Sequence, residues 1–245
     1  MLSYQDQNIT LSDIVRADYR TADVFKKHGL NYCCGGRTAL KEACAAQNID
    51  YTLLQEELTT ATKTIALPNN LPYHQWKVNF LVDYIVNVHH EYVKQTLPRL
   101  EGNLISFVNN HKKQYPELVA VESTFLQLYK IISQHTQVEE EVTFPYIKQL
   151  ANAYSRKETY GNLFVRTLRK PLSNVDQDHR EISALLSQLR SLTHQFTFPE
   201  NACTNHRVIY HKLQELDNDL TQHKHLENNF LFPKAIEMEN ALLHP

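Results

Sequence analysis

Two segments of this chain repeat one pattern of metal-binding side chains at helical spacing. HTQVEEEVTFP (135–145) and HKHLENNFLFP (223–233) each read His-x-x-x-Glu, then four residues, then Phe-Pro. Residues i and i+4 lie on the same face of an α-helix, so each segment presents an imidazole beside a carboxylate. A fold for this chain therefore has to accommodate two such pairs, on two separate helices.

The rest of the chain favours helices as well. Glycine is scarce, at 5 of 245 residues, and tight-turn dipeptides are few. Four long segments have apolar residues at i, i+3, i+4 and i+7, which predicts an all-α fold with an up-down-up-down four-helix bundle. The four prolines inside or near the ends of these helices predict kinks or early stops. The segments are 74–109, 117–150, 158–194 and 203–240, and the prolines are Pro98, Pro145, Pro171 and Pro233.

A shorter domain precedes the predicted bundle. Residues 1–66 read as short helices, one of which covers 22–28 and ends at Gly29. The sequence ALPNNLPYH (66–74) contains two prolines and two asparagines and predicts a linker. We therefore predict a small helical domain at 1–66 and the bundle at 74–240. The capping residues expected in the first domain are Thr10, Thr38 and Asp50.

Composition and charge exclude several classes of partner. The formal net charge is −2 and no basic stripe is present, which argues against nucleic acid. The sequence contains no run of about 18 apolar residues, so no membrane span is predicted. The N-terminus has no signal-peptide pattern. The four cysteines do not form a disulfide framework, which favours a reducing cytoplasm; they are Cys33, Cys34, Cys44 and Cys203.

Each long helix offers a histidine on its apolar face. His135 is flanked on its helical face by apolar residues that include Val138 and Val142, and His223 by a set that includes Phe230. His179 has a similar apolar surround, whereas His225 is predicted to face water. On the first helix the periodicity does not choose between His89 and His90. The remaining histidines are too distant, or lie past a helix end, and are expected at the surface or in caps: His74, His111, His194 and His206.

Four inward histidines and two inward glutamates predict a metal centre. A lone buried histidine is usually a hydrogen-bonded core residue, but burying this many polar groups without partners would cost several kcal/mol per unpaired charge. Six ligands exceed one tetrahedral zinc and suit two ions bridged by the glutamates. Mixed nitrogen and oxygen ligation favours non-haem iron with an oxo, hydroxo or water bridge, ahead of manganese or zinc. The Phe-Pro after each pair is interpreted as an aromatic plug and a helix stop.

Five motifs together resemble one known family. NYCCGG, HHEYVKQTLP, HTQVEEEVTFP, DQDHRE and HKHLENNFLFP are similar to the iron–sulfur cluster repair di-iron proteins, also called the repair-of-iron-centres family, over nearly the whole chain. The resemblance implies a hemerythrin-like bundle, and it selects His90 over His89. Ser183 stands four residues after His179, so the fifth histidine of the oxygen carriers is absent. The implied ligands of two iron ions are His90, His135, Glu139, His179, His223 and Glu227.

The resemblance also implies a function. It points to a cytoplasmic protein that restores iron–sulfur clusters damaged by nitrosative and oxidative stress. Iron donation, nitric oxide reduction to nitrous oxide, or both would serve that end, with damaged iron–sulfur proteins, nitric oxide and an unidentified electron donor as partners. The oligomeric state is left open, a homodimer included. The alternative is a hemerythrin-like, non-enzymatic sensor of a diatomic gas or of redox state.

Two interpretations apply to the adjacent cysteines Cys33 and Cys34. As an accessory site they would serve a redox, partner-docking or metal-transfer role, which the family motif and a nearby helix N-terminus favour. Otherwise they are incidental cytosolic thiols. Cys44 is expected to be a small buried hydrophobe, and Cys203 carries no readable signal.

Overall fold

The computed structural model describes residues 8–33, 36–63, 71–157, 161–168 and 173–244. In these ranges the regular structure is helical, apart from one isolated antiparallel bridge between Thr10 and Ala39. The predicted all-α class is confirmed. None of the described helices combines the length and the apolar character that a membrane span needs.

The internal contacts divide the chain into two compact units. Unit 1 comprises Met1–Asn69 and Phe196–Leu213, and unit 2 comprises Asn70–Gln195 and Gln214–Pro245. The division between Asn69 and Asn70 falls within the predicted linker, of which only 71–74 are described. The partition differs from the predicted domains at one place, because residues 196–213 belong to unit 1 and not to the bundle.

The described residues of unit 1 include four short helices, and their local signals are mostly as predicted. The side chain of Thr10 caps the first helix by accepting from the backbone N–H of Asp13, and that of Asp50 caps the fourth. Gly29, with φ of 67°, follows the end of the second. The predicted cap at Thr38 is wrong, since Ala39 is the N-cap and makes no side-chain bond. The helices are α1 (Leu11–Ala17), α2 (Thr21–Lys27), α3 (Leu40–Ala46) and α4 (Tyr51–Thr62).

Specific contacts explain why residues 196–213 belong to unit 1. Val208 is buried in the apolar core that Ile14, Phe25 and Leu54 share. Two polar contacts add to it: Ser12 Oγ lies 2.9 Å from Thr204 Oγ1, and Lys212 Nζ donates to Asp23 Oδ2 at 2.6 Å. Periodicity along one helix gives no information about such long-range contacts.

The described residues of unit 2 form four long helical segments, and a π-helical turn is present in three of them. The first runs through α5 (Val78–Tyr84), π1 (Ile85–His90) and α6 (Glu91–His111), and the second through α7 (Leu118–Val138), π2 (Glu139–Thr143) and α8 (Phe144–Arg156). The third comprises α9 (Gly161–Leu168) and α10 (Ser173–Leu192), and the fourth α11 (Thr204–Leu226), π3 (Glu227–Leu231) and α12 (Phe232–Leu243). The first half of α11 belongs to unit 1.

The pairing of the half-helices shows the topology of unit 2. Helix α6 packs on α7 while α5 packs on α8, so the first two long helices are antiparallel. Helix α10 packs on α7, α9 on α8, and α12 on α9, so each successive helix reverses direction. The expected up-down-up-down bundle is confirmed. Its core includes Val78, Ile85, Phe144, Ile147, Leu150, Leu226 and Leu231.

Candidate metal centre

Six buried polar side chains meet inside unit 2. They come from all four long helices, and each is at most 4% exposed. They are the six residues expected to bind metal from the sequence, and the structure brings all of them together. They are His90, His135, Glu139, His179, His223 and Glu227.

The six side chains form two overlapping groups of four. Tetrad A consists of His90, His223, Glu139 and Glu227, and tetrad B of His135, His179 and the same two glutamates. Within each tetrad the four candidate donor atoms lie within 4.8 Å of one another. Both glutamates are therefore placed to contribute to two cation positions.

The distances between donor atoms suit cations. In tetrad A, His90 Nε2 lies 3.1 Å from His223 Nε2 and 3.4 Å from Glu139 Oε2. In tetrad B, His135 Nε2 lies 3.2 Å from His179 Nε2 and 3.3 Å from Glu139 Oε2. Ligands held about 2.1 Å from one ion at right angles stand roughly 3 Å apart.

The outer nitrogens of three histidines point to hydrogen-bond acceptors. His90 Nδ1 lies 2.8 Å from Glu140 Oε1, and His179 Nδ1 lies 2.9 Å from Asn228 Oδ1. His135 Nδ1 lies 3.4 Å from Asp178 Oδ2. These acceptors place the imidazole proton on Nδ1, which leaves the lone pair of Nε2 directed into the cluster.

The interior of the cluster therefore contains acceptors that face acceptors. In tetrad B the Nε2 atoms of His135 and His179 direct lone pairs towards each other. Both carboxylate oxygens of Glu139, and Oε2 of Glu227, are buried without a hydrogen-bond partner among the described residues. Cations satisfy such a set of groups, because they coordinate nitrogen and neutralise the carboxylates. The residues present thus fit bound metal.

Burial and mutual charge shift the pKa values of these groups. Burial lowers the pKa of His90 and that of His135 to about 4, so both imidazoles are neutral, as metal ligation requires. Burial, together with the neighbouring Glu227, raises the pKa of Glu139 well above its ordinary value. Burial also acts on Glu227, but His223 and His179 outweigh it and hold the pKa of Glu227 well below the ordinary value. Without metal, the two glutamates therefore differ in protonation.

Each π-helical turn carries a candidate ligand. His90 ends π1, Glu139 begins π2 and Glu227 begins π3. Such turns are rare and occur frequently at functional sites. The sequence interpretation did not predict them. A signal was present, since a proline follows each glutamate at six residues and removes one backbone donor from the helix.

The Phe-Pro pair was interpreted correctly in one respect and wrongly in another. The helices do not stop there, because α8 and α12 continue through Pro145 and Pro233. The phenylalanines do cover the cluster. Phe144 is buried with its ring centroid 5.4 Å from that of His90, and buried Phe232 lies 6.1 Å from His179.

The structure separates the histidines that periodicity left unresolved. His89 is buried but lies outside both tetrads; its Nδ1 is 2.9 Å from Asp219 Oδ1 and its ring stacks on His223. His225 is exposed, as predicted. The surface or cap role expected for His206 is wrong, because this residue is 2% exposed and packs against Tyr210 in unit 1.

The cysteines lie in unit 1. Cys33 is exposed, while Cys34 lies outside the described residues, so the accessory role of the pair stays a prediction. Cys44 is buried, as expected. Cys203, which carried no readable signal, accepts from the backbone N–H of His206 at 3.4 Å at the start of α11.

Comparison with known proteins shows what this chain is similar to. Residues 7–62 match ScdA_N, described as a domain of unknown function (DUF542), and residues 167–242 match the hemerythrin HHE cation binding domain. Iron-sulfur cluster repair proteins YtfE from Escherichia coli O81 (strain ED1a), E. coli SMS-3-5 and Escherichia fergusonii are each 28% identical to this chain over 240 residues. These matches cover 97% of this chain and 100% of each relative.

The chain is similar to iron-sulfur cluster repair proteins over nearly its whole length. Its hemerythrin match includes three of the six clustered side chains, His179, His223 and Glu227. The match to a cation-binding domain and the buried cluster together indicate that the protein binds metal.

Proposed function

We propose that this protein is a di-iron protein of the cytoplasm that helps to repair iron–sulfur clusters damaged by nitrosative and oxidative stress. The observation that carries the proposal is the convergence of four imidazoles and two carboxylates into two tetrads with shared glutamates. The name of the relatives, which match nearly the full length of both chains, supplies the biological context.

Two histidines would hold each ion, His90 and His223 one and His135 and His179 the other, and Glu139 and Glu227 would serve both positions. The nitrogen and oxygen set favours iron among the metals that such a site takes. When bound, a pair of iron ions would supply redox-active positions for a small diatomic ligand such as nitric oxide, or iron as cargo for a damaged protein.

The residues of this chain prepare the site for that chemistry. The outer acceptors hold the imidazoles of His90, His135 and His179 in the tautomer that directs Nε2 inward. Phe144 and Phe232 cover the cluster with apolar surface, which limits water and strengthens electrostatic interactions inside. A groove of about 480 Å³ lies between α6 and α7 and is lined by residues next to the ligands, among them Thr136 and Glu140.

A reactivation assay tests the proposal. An iron–sulfur enzyme inactivated by nitric oxide is incubated with the iron-loaded protein, and recovery of its activity is measured with and without a reductant. His223→Gln should abolish recovery. His225→Gln, an exposed change two residues away on the same helix, should leave it intact. Lack of recovery with the unaltered protein would refute the proposal, and reversible gas binding without recovery would favour a sensor.

Headspace analysis separates the two routes to repair. Nitrous oxide produced from nitric oxide in the presence of a reductant supports the reductase route. Transfer of labelled iron to an apo cluster protein supports iron donation. Recovery without nitrous oxide would remove the reductase route and leave the donor role.

A further inference from the structure

The two tetrads have matched inner ligands but different outer acceptors. Glu140 and Asn228 directly follow the two shared glutamates and occupy equivalent positions in the sequence repeat. Glu140 Oε1 accepts from His90 Nδ1 at 2.8 Å in tetrad A, and Asn228 Oδ1 accepts from His179 Nδ1 at 2.9 Å in tetrad B. The geometry of the repeat is thus preserved while a carboxylate is replaced by an amide.

The other outer contacts are weaker or absent, one in each tetrad. His135 of tetrad B lies near a second carboxylate, Asp178, but at 3.4 Å and with a side chain 47% exposed. Glu140 is 26% exposed. His223 of tetrad A has no acceptor for Nδ1 among the described residues, and its ring stacks on His89 at 5.8 Å with 7° between the planes. Within the described part of the chain, Glu140 therefore supplies the one short carboxylate bond to the outer nitrogen of a candidate ligand histidine.

Lys94 reduces the charge on Glu140 without removing it. Its ammonium lies 2.9 Å from the carboxylate, but the lysine side chain is 50% exposed. Solvent screens an ion pair of this kind, so Lys94 weakens the pull of Glu140 on His90 only in part. The same carboxylate accepts from both groups, one oxygen facing the imidazole.

A carboxylate behind an imidazole strengthens the opposite nitrogen as a metal ligand. Hydrogen bonds to an ionised acceptor are roughly twice as strong as neutral ones, and they fix the orientation of the ring. Loss of such an outer partner typically costs about 10–100-fold in metal affinity. The neutral amide of Asn228 also orients His179 but donates less electron density through it.

We propose that Glu140 is a positioning residue that makes tetrad A the tighter of two unequal metal positions. Asn228 leaves tetrad B as the position from which an ion leaves first. This inference rests on the proposed function and deepens it, because tetrad B would be the source of the iron that is handed to a damaged cluster, while tetrad A retains its ion.

Release of metal to a chelator tests this inference. The full-length protein is loaded with ferrous iron under anaerobic conditions and mixed with an excess of a chromogenic ferrous chelator. Two phases of equal amplitude are expected, with rates that differ by about 10–100-fold. Glu140→Gln keeps the size and an acceptor oxygen but removes the charge, so the slow phase should accelerate towards the fast one. Asn228→Glu should slow the fast phase.

A matched control lies next to Glu140. Glu141 is an exposed carboxylate that accepts from Gln137 Nε2 at 2.9 Å and is absent from both tetrads. Glu141→Gln should leave both phases unchanged. Circular dichroism checks the fold of every variant, and if Asn228→Glu does not fold, the Glu140→Gln and Glu141→Gln pair decides alone.

Three results would overturn the inference. They are a single phase of release from the unaltered protein, acceleration of the fast phase instead of the slow one by Glu140→Gln, and failure to bind iron at all. The reactivation assay keeps this test separate from the proposed function. Cluster repair with single-phase release refutes the inference alone, whereas two-phase release without repair refutes the function and leaves the unequal positions standing.

Discussion

The carboxylate of Glu139 should destabilise the metal-free protein and stabilise the metal-bound one. Both of its oxygens are buried without a hydrogen-bond partner in the described structure, and Glu227 is close enough to raise its pKa. Glu139 belongs to both tetrads. Glu139→Gln replaces a carboxyl group that can ionise by a neutral amide at nearly constant volume, so its effect on stability should reverse in sign when metal is added.

The size of each effect follows from the burial. An unsatisfied buried polar group costs about 1–3 kcal/mol, and since glutamine is still polar we expect a gain of about 1–2 kcal/mol in the metal-free state. At roughly 2–4 °C per kcal/mol for a protein of this size, the melting temperature should rise by about 2–8 °C. Metal at 1,000 times its Kd stabilises the unaltered protein by about 4 kcal/mol per site, and most of this gain should be lost in the variant.

Thermal unfolding followed by circular dichroism at pH 8 measures both effects. The unaltered protein, Glu139→Gln and the control Glu141→Gln are each compared after chelator treatment and after addition of ferrous iron without oxygen. The control should behave as the unaltered protein does. A metal-free Glu139→Gln protein that melts below the unaltered one, or that gains as much from iron, would refute the reasoning that the cluster is an unsatisfied set of acceptors.

Three further results are expected. Burial lowers the pKa of His135 from 6.5 to about 4, so the folded state favours its neutral form. The free energy of unfolding should therefore be constant above pH 6.5 and fall towards pH 4, by about 2 kcal/mol at pH 5. Urea unfolding of metal-free Glu139→Gln should show this, because that variant lacks the raised pKa of Glu139, which acts in the opposite direction. His135→Ala should retain about one metal ion per chain after dialysis, and Glu227→Ala should retain less, because His135 belongs to one tetrad and Glu227 to both. Equal metal contents in the two variants would argue against shared glutamates. Tyr146→Phe should cost about 1–3 kcal/mol in a denaturant titration, because it removes the hydroxyl that donates to the buried carboxylate of Glu239 at 2.5 Å; an unchanged midpoint would contradict this.

The sequence was sufficient to predict the bundle and the six clustered residues because two independent constraints agree. Apolar periodicity identifies which face of each helix is buried, and histidines and glutamates on that face need partners. The repeated His-x-x-x-Glu spacing then identifies two halves of one cluster. Periodicity alone left His89 and His90 equivalent, since both lie among apolar neighbours, and the family resemblance was needed to choose.

Contacts between distant parts of the chain were beyond such reasoning. His206 was expected at the surface because it lies too far along its helix from His223 to join the cluster. It is buried instead, because the first half of α11 packs within unit 1, where Val208 completes an apolar core. The distance from the cluster correctly excluded His206 as a ligand. It gave no information about the apolar core of unit 1, in which this part of α11 packs.

The π-helical turns explain the remaining errors in the predicted buried faces. A regular helix places Val138 and Val142 on the face of His135, yet Val138 is 49% exposed and Val142 half-buried, while Thr143 and Phe144 are buried. In the repeat, Phe230 is likewise only half-buried and Leu231 and Phe232 are buried. One extra residue in a turn rotates everything after it by about 100° around the axis. The shift brings the phenylalanine of each Phe-Pro pair, which an unbroken 3.6-residue period would direct elsewhere, against a candidate ligand of the cluster. The prolines that follow leave one carbonyl without its helical donor, so the local cost of the wide turn is smaller there than in an uninterrupted helix.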